Sequence, residues 1–225
     1  MRTLLIGIGN PGRRDDGLGP ALIERLAGSR PPERAIVSME ARAEEHPVLA
    51  AEDASCLGSP CDRFPAESRE ADAPLIDISA GTIDVFWTYQ LNIEDAATVG
   101  DYDRVVFADA MMDDTEAEAF FSPALRRPGK AFKTSEDAAI PVGSSSLPGA
   151  VLGPLTPAAS ISFTTHEMSP ASVLALAEEL YGKSPAGFLL KIRGVEWDFA
   201  EGLSAAAEMN LVEALRILID FFRSR

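Results

Sequence analysis

The sequence lacks several features that would place a protein quickly. Cysteine is nearly absent: Cys56 and Cys61 are the two in 225 residues, which excludes a disulfide framework. Taken with His46 they still lack the paired C-x2-C spacing and a fourth ligand, so two free thiols are expected rather than structural zinc. Basic residues are outnumbered, 20 Lys and Arg against 35 Asp and Glu, for a net charge of −15. They form no tract. Nucleic acid and anionic membranes reward clustered basic side chains, so neither is expected as a partner. No apolar run of about 18 residues exists, which leaves no membrane-spanning helix. The N-terminal TLLIGIG is too short an apolar run for a signal peptide, and a cytoplasmic protein is the expectation. No repeat period is present.

What remains is a soluble composition, 46% hydrophobic and 24% charged, sufficient for one domain over 1–225 with a substantial core. TLLIGI at 3–8 and RVVFADA at 104–110 read as short buried strands. IDVFWTYQ at 83–90 and AGFLLKIRGV at 186–195 read as two more, from their β-branched and aromatic content. Trp87 and Tyr89 are expected in core or interface. A helix is expected from Pro20 to Leu26, closed by Gly28. NIEDAATVG predicts a short helix with Asn92 as cap and Gly100 as stop. Ser169 and Pro170 open a third, and an amphipathic fourth runs from about Ser204 to Phe222. Residues 29–80 are poorly patterned and read as an insertion, although AIVSM and PLIDIS within it are strand-like. Residues 111–160 read as turns and loops with an edge strand near AEAFFSPAL, and MMDDTEAE as an acidic solvated loop. Strands alternating with helices imply an α/β fold, a three-layer α/β/α sandwich on a twisted, mostly parallel sheet. Functional groups in such folds collect beyond the carboxyl ends of the strands. Asp16, Asp109 and His166 fall at such ends or in adjoining loops.

The stretch GIGNPGRRDDGLGP at 7–20 is the most specific feature. Gly7, Gly9 and Gly12 fit G-x-G-x-x-G, the pattern of a dinucleotide-binding loop, but there the helix begins at the glycines. Here Pro20 marks a helix start well downstream, and Asp15 and Asp16 would repel a pyrophosphate. Arg13 and Arg14 offset that charge, so a nucleotide-dependent α/β enzyme stands as the alternative. The loop is better suited to presenting carboxylate, with Gly7, Gly9, Asn10 and Gly17 shaping it. Asp16 is the favoured contact residue, Asp15 a supporting one; a capping role is the rival for both. A turn or helix cap is the rival for Asp109, and a structural or merely exposed His for His166. Glu167 is expected to be a solvated neighbour.

GIGNPGRRDDGLGPALIERL resembles the signature of the [NiFe]-hydrogenase maturation endopeptidases. The likeness continues, in order, through YQLNIEDA, DRVVFADA, THEMSPASVLALAEELYG and IRGVEWDFAEGLS, about two thirds of the chain. It implies an endopeptidase that removes the C-terminal extension of a hydrogenase large-subunit precursor after nickel insertion. It further implies that Asp16, Asp109 and His166 contact a nickel delivered by the substrate, with no permanently bound metal. The precursor is the implied partner, and a monomer is expected. A non-catalytic precursor chaperone is a further alternative. Two features depart from the family: relatives carry Glu as well as Asp at the position of Asp16, and the 29–80 span is longer than usual. Two carboxylates and an imidazole suit a borderline divalent cation.

Overall fold

The structure, a computed structural model, describes residues 1–39, 82–112, 148–158 and 168–223. His166, Glu167, His46, Cys56, Cys61, most of the 29–80 segment and the acidic run beyond Met112 lie outside the described residues. The strands are β1 (Arg2–Ile8), β2 (Val37–Met39), β3 (Thr82–Thr88), β4 (Arg104–Met111), β5 (Ala150–Leu155) and β6 (Ala186–Arg193). They form one sheet in the order β2-β3-β1-β4-β6-β5. The four central strands are mutually parallel, and β2 and β5 run antiparallel at the two edges.

The central strands are apolar on both faces because both are covered, the condition of a parallel sheet. Consecutive Leu4, Leu5 and Ile6 of β1 are each fully buried and alternate between two cores. Leu5, Val106 and Leu190 pack against helices α1 (Leu18–Ala27) and α4 (Ala205–Arg223). Leu4, Ile6 and Phe107 pack against α2 (Asp95–Val99) and α3 (Pro170–Tyr181). This is the three-layer α/β/α sandwich expected. In α4, Ala207, Leu211, Ala214, Leu218 and Phe222 supply the buried stripe, the helical period that makes such an element pack on one side.

Several local expectations shift. Helix α1 starts at Leu18, so Pro20 is its third residue. Asn92 does not cap α2; instead its N–H donates to Asp95 Oδ2 at 2.7 Å, while Arg34 holds the same carboxylate at 2.7 Å through Oδ1. Ser169 does cap α3, accepting from Ser172 N–H at 3.1 Å, with Pro170 as first helical residue. Strand β5 lies within residues read as loop. It carries Gly153 and Pro154, and proline is tolerated there because β5 is an edge strand. Asp84 is buried in mid-β3. Burial alone raises its pKa, but hydrogen bonds from Ser38, Tyr102 and Arg2 outweigh this and hold it below the ordinary carboxylate value. Tyr102, buried and donating to Asp84 at 2.7 Å, is pushed up to about 12.

Candidate functional site

Neighbouring strands β1 and β4 lead the chain in opposite directions, β1 towards β3 and β4 towards β6. Their carboxyl ends therefore flank the topological switch point, where open α/β sheets leave a crevice. The loop after β1 fills one side of it. A Cβ on Gly7 would collide with the Gly19 carbonyl, and one on Gly19 with the backbone of Ile8. Gly9, at φ 137°, has the Asp16 carbonyl where a Cβ would stand. These glycines let a 3-10 turn (Arg14–Gly17) and the start of α1 press directly onto β1. They serve packing.

Seven amides of this loop are committed within the protein. Gly9 N–H donates to the Thr88 carbonyl, Gly12 to Asn10 Oδ1, and Arg13 to the Asn10 carbonyl. Arg14 donates to Ala200, Asp15 to Glu196, Asp16 to Arg13, and Leu18 to Asp15. A phosphate-binding loop needs such donors aimed at its ligand. The geometry thus speaks against the nucleotide alternative.

The two adjacent aspartates occupy different environments. Asp15 is fully buried. Its Oδ2 accepts from Val195 N–H at 2.7 Å, Glu196 N–H at 2.8 Å and Ser204 Oγ at 2.8 Å, and its Oδ1 from Ser204 N–H at 2.7 Å. Burial raises its pKa, and these four bonds more than reverse that, holding it below the usual range. Ser204 in turn caps α4 through Ala207 N–H at 3.1 Å. Asp15 therefore ties the turn to the segment between β6 and α4. Asp16, next along, is half-buried and sits on that turn. The turn packs against β4, and Gly19 just beyond it lies against the Ala108 carbonyl.

Asp109 directly follows Ala108, near the carboxyl end of β4 and half-buried. On the neighbouring strand its register partner is Lys191, whose Nζ donates to Asp109 Oδ2 at 2.9 Å. Both side chains share the sheet face of Val105 and Phe107, the face covered by α2 and α3. Met168, two residues after His166, packs on that side and donates its N–H to the Leu91 carbonyl. The turn bearing Asp16 thus packs against the strand that carries Asp109, while His166 lies outside the described residues. Among the described residues no three His, Cys, Asp or Glu side chains gather as a metal site. Lys191 is not singled out in the sequence; Ser204 enters there only as a helix start, and the Gly194–Ser204 segment only as part of the motif IRGVEWDFAEGLS. The one available signal was a lone Lys inside the apolar run FLLKI.

No described helix is long and apolar enough to cross a membrane. No protein-family model and no curated protein matches the sequence. Solved structures do. The hydrogenase maturating endopeptidase HybD from E. coli superposes with a TM-score of 0.50 at 15% identity, over 99% of this chain and 93% of that one. The [NiFe] hydrogenase maturation protease HybD from Thermococcus kodakarensis gives 0.47 at 14% identity, over 98% and 99%. At such identities the E. coli likeness speaks to architecture, and the chain has the α/β/α fold of that hydrogenase maturating endopeptidase.

Proposed function

We propose that this protein is an endopeptidase that trims the C-terminal extension of a [NiFe]-hydrogenase large-subunit precursor once nickel is in place. The observation that supports the reading is the packing of the Asp16-bearing turn against β4, the strand that carries Asp109, at the β1–β4 switch point, within a fold shared with a maturating endopeptidase. His166 is assigned as third contact from the motif it shares with that family. The nickel belongs to the substrate, held by its cysteines. Asp16, Asp109 and His166 complete its coordination, which positions the scissile bond only when metal is present. The substrate's metal would polarise the scissile carbonyl or lower the pKa of a water, and Asp16 or Asp109 serves as base towards that water. Lys191 holds one oxygen of Asp109, leaving the other for the incoming centre.

The test is incubation with nickel-loaded and nickel-free precursor, with mass spectrometry of the released tail. The loaded precursor is cut and the empty one is not. Asp109→Ala and His166→Ala abolish cutting with the fold intact, and Asp16→Glu is tolerated better than Asp16→Ala or Asp16→Asn. Normal processing by Asp109→Ala or His166→Ala would refute the mechanism. Precursor bound but left whole by the wild type would favour the chaperone reading.

A further inference from the structure

The most exposed large apolar side chain among the described residues sits in one of the most firmly anchored loops. Phe199 is 86% exposed. It belongs to the segment between β6 and α4, which the buried Asp15 carboxylate grips at both ends, through Val195 and Glu196 on one side and Ser204 on the other. Between those grips, Arg14 N–H donates to the Ala200 carbonyl at 2.8 Å and Arg13 Nε to the Trp197 carbonyl at 3.2 Å. The Arg13 guanidinium lies 5.8 Å from the Phe199 ring centre. An aromatic held out in water on an anchored backbone has little ordering entropy left to lose on association, the property of an interface anchor.

Its surroundings indicate the partner. Val195 is 55% exposed in the same loop, and Met112, Tyr89 and Ile93 stand exposed just past the carboxyl ends of β4 and β3. The apolar groups thus follow the edge that carries Asp16 and Asp109. Interleaved in the loop are the exposed carboxylates of Asp198 and Glu201, beside Glu196, which faces Arg14 at 3.7 Å, in a chain of net charge −15. Against the two guanidiniums of Arg13 and Arg14 the three carboxylates still leave an acidic balance, and an acidic rim around an apolar anchor selects a partner of opposite sign.

We propose that the Val195–Glu201 loop is a docking surface for the protein substrate, with Phe199 as its anchor, and that it receives an apolar side chain flanked by Lys or Arg. This rests on the peptidase reading and adds the surface that recognises the substrate away from the reacting bond.

The experiment measures both Kd and cleavage kinetics with fluorescently labelled, nickel-loaded large-subunit precursor. Phe199→Ser raises Kd and KM about tenfold or more, with kcat nearly unchanged and the melting temperature of the free protein unaltered. Phe199→Trp retains affinity. Asp198→Asn combined with Glu201→Gln weakens binding at low salt and flattens its salt dependence. Wild-type Kd and KM in Phe199→Ser would overturn the proposal. So would a dimer that Phe199→Ser dissolves while precursor affinity stays the same, because the surface would then belong to a second copy. A wild type that binds precursor through Phe199 but never cuts it refutes the peptidase reading and leaves the docking surface standing. A wild type that neither binds nor cuts refutes both.

Discussion

Replacing Asp15 by Asn keeps the shape of the side chain and removes the charge on which the β6–α4 segment is hung. The amide oxygen will take the Oδ2 position, where three donors converge: Val195 N–H, Glu196 N–H and Ser204 Oγ. Its NH2 must then face Ser204 N–H, which Oδ1 accepts at 2.7 Å in the wild type. One buried donor left unsatisfied costs about 1–3 kcal/mol, and three charge-assisted bonds weaken towards neutral strength. The sum is a loss of about 3 kcal/mol, a large share of the ~5–15 kcal/mol that typical domains possess. For a chain of this size it lowers the melting temperature by about 6–12 °C. Urea unfolding at pH 7, followed by circular dichroism, measures it directly. Because the same carboxylate anchors the turn bearing Asp16, precursor processing should fall even well below the new melting temperature. An unchanged urea midpoint would show that the four bonds do not hold the segment, and the positional account of Asp16 would fall with it.

The same bonds set an acid limit. Asp15 and Asp84 both have folded pKa values below the ordinary 3.8, so the unfolded chain binds their protons first. Their contribution is complete above about pH 4 and is lost as pH falls through the folded values; urea midpoints taken from pH 7 to pH 3 should decline only at the acid end, and a flat series would contradict the assignment. Gly19→Ala drives a methyl into the Ile8 backbone and should destabilise by about 3 kcal/mol or more by thermal melting. NAD(H) should leave the wild-type melting temperature unmoved, and a shift of several degrees would restore the nucleotide reading. Lys191→Met removes a positive charge beside Asp109 and should raise affinity for free Ni2+ about tenfold or more in calorimetry, since a unit charge a few ångströms from a dication is strongly repulsive. Equal affinity would mean that the ammonium does not tune the site.

The elements read most directly from the sequence were those whose pattern is local. TLLIGI, RVVFADA and the 3.6-residue stripe of α4 state their burial in their own residues, and Ser169-Pro170 its capping geometry. Strand β5 was missed because Gly153 and Pro154 interrupt it, and because an edge strand owes its existence to the neighbour it pairs with. The cap of α2 was misassigned because Asp95, held by Arg34 from a distant loop, turns back to the Asn92 N–H.

The candidate site divides in the same way. The sequence alone determined that a carboxylate lies near the carboxyl end of β4, that a glycine-rich turn with two aspartates follows β1, and that the order of motifs resembles one peptidase family. Only tertiary structure decided which aspartate goes inward. Asp15 and Asp16 are chemically identical neighbours, and what distinguishes them is a set of four donors 180 to 189 residues away. The pairing of Asp109 with Lys191 likewise depends on the register of two strands 82 residues apart in sequence. Burial and hydrogen bonding are properties of what the fold brings near, and no local pattern encodes a partner that distant.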